Sequence, residues 1–159
     1  MKSKLEATEF RNKIKSNTVI GNPKLKYISP FWLFRIFEGI SKPFYGNFDD
    51  STFRLTINTA ILPTFYTIKG NYKTANRTLN ISYTIEPTHK LSIIWIKYFP
   101  IIAFVLANSV LISQEKIPLQ VYLFFNLFIV FSTFYTKWRT KQEMKNLERK
   151  FNEIFEIII

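Results

Sequence analysis

Two spacings of apolar residues divide this chain. From Phe44 to Pro87 apolar and polar residues alternate, the period-two pattern of half-buried strands. From Leu91 to Tyr135 apolar residues run almost unbroken. FYGNF at 44–48 predicts a short strand, closed by a turn at Asp49-Asp50-Ser51. Phe53, Leu55 and Ile57 alternate with Arg54, Thr56 and Asn58. Pro63 interrupts, Phe65 to Lys69 predicts the next strand, and Gly70-Asn71 opens a turn region that reaches Asn76. Leu79, Ile81, Tyr83 and Ile85 alternate with Thr78, Asn80, Ser82 and Thr84 until Pro87 ends the run. The expectation is an antiparallel meander with one wet face.

The dry face needs a cover. Thr8 is placed to cap a helix that carries Phe10 and Ile14 on one side. Gly21 and Pro23 mark its end. The piece SPFWLFRIFEGI contains residues 31–40, apolar nearly all the way round. It reads either as a segment buried against the sheet or as an interfacial helix among lipid headgroups.

Leu91 to Ser113 and Pro118 to Thr136 are each long enough to cross a bilayer, which takes about 20 residues. Gln114 to Ile117 makes a short polar loop between them. Trp95, Lys97 and Tyr98 at one end, and Lys137, Trp138 and Arg139 at the other, are the aromatic and basic residues expected at a membrane interface. Pro100 falls in the first turns of its span, where its missing N–H costs least. Asn108 and Asn126 sit inside the spans, about 7 and 10 residues from the loop centre, so their heights differ by ~4–5 Å. A contact between the two amides across the hairpin, a bond from each to its own helix, and a bond to a neighbouring chain all satisfy them. Ala103 and Ala107 form a small-xxx-small pair that lets the second span approach.

Charge sets an orientation. Residues 1–90 hold 14 Lys and Arg against 6 Asp and Glu, a net of +8; residues 137–159 carry +2 and the loop at 114–117 is neutral. The positive-inside rule then puts both termini in the cytoplasm and the loop outside. Residues 1–27 show no apolar run before a small-residue cleavage site, so the N-terminus is expected to stay where it is made. After Arg139, the residues Met144, Leu147, Phe151, Ile154, Phe155 and Ile158 recur at spacings of three and four, an amphipathic helix. Packing on the head, pairing with a second copy and lying on the inner leaflet all suit that face.

Composition removes most chemistry. The chain has no cysteine and one histidine, His89, beside the first span. Disulfides, thiolate metal sites and a His-based nucleophile activation are therefore not expected. Four scattered glycines form no phosphate loop. Asp49 and Asp50 fall in a tight turn and read as turn residues. A net charge of +11 with interleaved aromatics superficially suits nucleic acid. Membrane orientation already accounts for it, and anionic lipid is the simpler partner for Lys24, Lys26, Arg35 and Lys42.

The order of Phe44-Tyr45-Gly46, Phe53-Arg54-Leu55, Ile68-Lys69-Gly70 and Ile85-Glu86-Pro87, followed by two spans and a charged helix, resembles a group of uncharacterised small bacterial membrane proteins. It covers residues 8–156, with LPTFYT where that group has Asn-Ser-Phe-Leu-Pro, and Glu86 where it has His. The resemblance implies a membrane-anchored, strand-rich head and brings no activity or site.

The expectation is an α+β protein. A cytoplasmic strand-rich head occupies 1–90, a transmembrane hairpin 91–136 and a cytoplasmic amphipathic tail helix 137–159. It is read as a non-enzymatic, two-pass inner (plasma) membrane protein without cofactor or metal. Its partners are membrane lipid and an unidentified protein, with a second copy of the chain as a further candidate and no nucleic acid. The alternatives are a membrane-resident immunity or defence accessory protein and a small subunit of a larger membrane assembly.

Overall fold

The structure, a computed structural model, describes residues 1–25, 42–59, 64–75, 78–113 and 118–158. The aromatic piece at 31–40, Pro63, the end of the expected turn at Asn76, and the loop at 114–117 lie outside them. The protein is α+β. In chain order the elements are β1 (Lys2–Ser3), α1 (Ala7–Asn17), β2 (Thr18–Ile20), a 3-10 turn (Pro23–Leu25), β3 (Phe44–Phe48), β4 (Thr52–Ile57), β5 (Tyr66–Ala75), β6 (Thr78–Pro87), α2 (Lys90–Ile112), α3 (Leu119–Ile154) and β7 (Ile157–Ile158). The described chain forms two compact units, residues 1–89 with 143–159, and residues 90–142.

Among the described residues the first unit is built on a seven-stranded sheet, ordered β2-β3-β4-β5-β6-β1-β7. Its centre is the predicted antiparallel meander, and β2 joins the edge in parallel with β3. Register follows the alternation. Leu55 stands opposite Gly46 and Ile68, Ile68 opposite Ile85, and Tyr72 opposite Ile81. One face therefore collects the large apolar residues, since a strand's side chains change sides at each step.

The predicted turn at Gly70-Asn71 is instead the middle of a ten-residue strand. Gly70 serves packing. A Cβ there would stand 2.5 Å from the Ser82 carbonyl oxygen, 2.6 Å from Cζ of Phe53 and 2.9 Å from Cβ of Tyr83, so its bare backbone leaves room for the Phe53 ring and the neighbouring strand. α1 also starts earlier than Thr8 suggests. Glu6 occupies the N-cap, and its N–H donates to the Glu9 carboxylate at 3.2 Å.

The cover of the dry face comes from both ends of the sequence. Phe10 and Ile14 of α1 and Leu147, Phe151 and Phe155 of the C-terminal segment are all buried. Ring centroids lie 5.0 Å apart for Phe10–Phe155, 5.2 Å for Phe53–Phe151 and 5.1 Å for Tyr83–Phe151. Fully burying one such side chain contributes ~1.5–3 kcal/mol. Polar bonds add to the apolar contacts. Ser3 Oγ donates to the Phe155 carbonyl at 2.7 Å, and the Phe65 N–H donates to the Glu143 carboxylate at 2.6 Å. The Tyr83 hydroxyl donates to Asn152 Oδ1 at 3.0 Å. Of the three uses open to the amphipathic face, packing on the head is the one the structure shows, so 143–158 belongs with the head rather than forming a unit of its own. α3 ends where Glu156 takes a φ of 50°, and β7 then pairs with β1.

The second unit holds α2 and the larger part of α3. Both helices are long and apolar enough to cross a membrane, and none of their most apolar stretch is buried. Pro100 lies inside α2.

Candidate functional site

The hairpin reverses the ordinary distribution of side chains. Phe124, Leu127, Phe131 and Phe134 are 67–70% exposed, whereas Asn108 is 9% exposed. Helical periodicity explains how the sequence does this. Along α3 the partly covered positions include Tyr122, Asn126, Ile129, Thr133 and Thr136, spaced by three and four, with Ser132 beside Thr133. They form one seam, and much of it is polar. Along α2 the partly covered positions include Ile96, Pro100, Ala103 and Ala107.

Asn108 and Asn126 meet across the hairpin. Asn108 Nδ2 donates to Asn126 Oδ1 at 2.9 Å, and Asn126 Nδ2 donates to Asn108 Oδ1 at 3.2 Å. Each amide also donates to its own helix, Asn108 to the Phe104 carbonyl at 2.7 Å and Asn126 to the Tyr122 carbonyl at 2.9 Å. Two of the bonding modes open to these residues therefore operate together. The pair is neutral and neither amide ionises at ordinary pH, so its chemistry is adhesion and register.

Two threonine hydroxyls of the seam are satisfied locally. Thr133 Oγ1 donates to the Ile129 carbonyl at 2.7 Å, and Thr136 Oγ1 to the Ser132 carbonyl at 2.8 Å. The interface residues expected from sequence lie outward: Trp95 and Trp138 are both 60% exposed, Tyr98 is 47% exposed, and Lys97, Lys137 and Arg139 are wholly or partly exposed. Lys97 Nζ stands 5.1 Å from the Tyr98 ring centroid, within cation–π range.

A second feature lies on the wet face of the sheet and was missed from sequence. Asn47, Arg54, Lys69 and Thr84 form one rung across four strands. With Asn71 and Ser82 they line an open basin of about 550 Å³. Arg54 and Lys69 stand directly opposite each other in register. Like charges so placed cost a few tenths of a kcal/mol up to ~1 kcal/mol. Their signal was present as the polar half of each alternating run, which also marks any solvated strand face.

Two carboxylates border the basin, Asp49 and Glu86. Asp49 is occupied. Its Oδ1 accepts from the N–H groups of Ser51 at 2.8 Å and Thr52 at 2.6 Å, and its Oδ2 accepts from Thr52 Oγ1 at 2.7 Å. These bonds, the Ser51 backbone bond first, hold its pKa down at about 2. Asp50 pairs instead with Arg11 at 3.1 Å. Among the described residues no group of three or more His, Cys, Asp or Glu could hold a metal ion. His89 is outside the basin lining.

Searches of protein-family models, curated proteins and solved structures found no match to this chain.

Proposed function

We propose that this chain is a two-pass protein of the inner (plasma) membrane, with both termini cytoplasmic. Its sheet head acts there as a non-enzymatic binding module. One observation carries the membrane reading: the hairpin exposes Phe, Leu, Ile and Val and turns its asparagines inward. In water, exposing this much apolar surface is opposed at ~25 cal/mol per Å². In hydrocarbon the preference reverses, and an amide pair inside the hairpin is the low-energy arrangement. The positive charge of residues 1–90 supports the orientation.

The binding role is supported by the wet face. Arg54 and Lys69 repel one another across adjacent strands, and an acidic group from a partner protein would relieve that repulsion. Membranes washed at alkaline pH test the anchoring: the full chain stays in the pellet and is extracted only by detergent. A full-length chain that is monodisperse in detergent-free buffer overturns the proposal. A photo-crosslinking residue in place of Thr84, in native membranes, should capture a partner protein more strongly than one in place of Lys4. Equal capture at both positions removes the basin from the role.

A further inference from the structure

A groove of about 290 Å³ runs along the hairpin between α2 and α3. Its walls include Ile101 and Phe104 from α2, and Ile129, Val130 and Phe134 from α3. Thr133 also lines it, but its hydroxyl is already spent on the Ile129 carbonyl. It therefore brings no unsatisfied donor to the groove. Lys137 is the one charged residue of the lining. From Ile129 to Lys137 the helix rises ~12 Å. The groove is thus an apolar trough with an ammonium group toward one end, and that end carries Trp138 and Arg139.

We infer that this groove seats one acyl chain of an anionic phospholipid, with the lipid phosphate against Lys137. The inference rests on the membrane reading of the hairpin. Chemistry chooses among occupants. A second hairpin could fill an apolar trough, but it has no carboxylate for Lys137: between Lys90 and Gln142 the only acidic residue is Glu115, in the loop at the opposite end of the spans. A zwitterionic lipid offers a phosphate with a cation of its own attached. An anionic phospholipid satisfies the apolar walls and the ammonium together. Each basic residue near the surface is worth ~1 kcal/mol toward anionic lipid, or about fivefold in occupancy.

The test uses the full chain in mild detergent with equimolar phosphatidylglycerol and phosphatidylcholine of identical acyl chains, read by native mass spectrometry. The expected result is one retained lipid per chain, with phosphatidylglycerol favoured about fivefold. Lys137→Gln should bring the ratio close to one. Val130→Trp, which fills the trough at a side chain already 45% exposed, should remove the retained lipid altogether. Equal retention of the two lipids by the native chain overturns the inference, as does a preference unchanged in both variants. A dimer that Val130→Trp dissociates assigns the groove to a second copy and also overturns it. Alkaline washing of membranes carrying the same three chains separates the levels: release of the native chain breaks the membrane reading itself, while retention with no lipid preference breaks only the groove assignment.

Discussion

Replacing Phe151 by alanine should remove a large part of the sheet unit's stability, although Phe151 lies more than sixty positions beyond the last central strand. Its side chain is fully buried. Its ring lies 4.8 Å from Phe155, 5.1 Å from Tyr83, 5.2 Å from Phe53 and 6.4 Å from Phe44, centroid to centroid. Truncating a buried Phe costs ~3–5 kcal/mol, transfer and cavity terms together. The upper part of that range applies here, because the neighbours are rigid rings held by strand register and cannot collapse into the gap. A unit of this size has a total stability of roughly 5–15 kcal/mol. The loss is therefore a large fraction of the whole. Amide hydrogen exchange followed by mass spectrometry in detergent micelles reads it. Peptides from β5 and β6 should lose about three to three and a half decades of protection. Lys145→Ala, an exposed change on the same helix, should stay within ~0.5 kcal/mol. Protection in β5 and β6 that is unchanged by Phe151→Ala would refute the reasoning, since the C-terminal segment would then not belong to that core.

Other outcomes follow from the same geometry. Asn126→Leu should weaken the hairpin by ~0.6–1.7 kcal/mol in an SDS titration from mixed micelles, and the double change with Asn108→Leu should recover part of it by removing the orphaned amide; additive losses would contradict the pairing. Gly70→Ala should cost ~1–3 kcal/mol, because the new Cβ meets the Ser82 carbonyl oxygen and the Phe53 ring, read by the same exchange experiment. Asp49 gives a pH dependence of known sign. Its folded pKa of about 2 lies below the unfolded value of ~3.9, so its stabilisation is complete above ~3.9 and is lost as pH falls through about 2. Acid titration of the native chain should show this loss, and Asp49→Asn should remove that part of the slope.

The central strands were legible from their period-two spacing and both long helices from unbroken apolar runs, whereas β2 and β7 were not, because 17–22 reads as a break and Ile158 as part of the tail helix. Phe53-Leu55-Ile57 and Leu79-Ile81-Tyr83-Ile85 specify a half-buried strand whatever covers it. Gly70-Asn71 was misread because a glycine beside an asparagine signals a turn locally, whereas this glycine answers to the Phe53 ring and the Ser82 carbonyl, contacts between strands that no local window contains. The placement of Leu147, Phe151 and Phe155 was legible as an amphipathic stripe, but a stripe does not say what it faces. Helical rise put Asn108 and Asn126 at similar heights, but left open whether they bond each other, their own helices or a neighbouring chain. The basin around Arg54 and Lys69 was not, because opposition across β4 and β5 depends on register, and register depends on the whole sheet.

Because the chain has no natural cysteine, single cysteines report sidedness without background. Ser16 lies at the exposed end of α1, and Ser113 lies just past the end of α2. In spheroplasts treated with a membrane-impermeant maleimide, Ser113→Cys should be labelled at once, and Ser16→Cys only after the membrane is permeabilised. Labelling of Ser16→Cys in sealed spheroplasts, or equal labelling of the two, would contradict the two-pass arrangement with a cytoplasmic head.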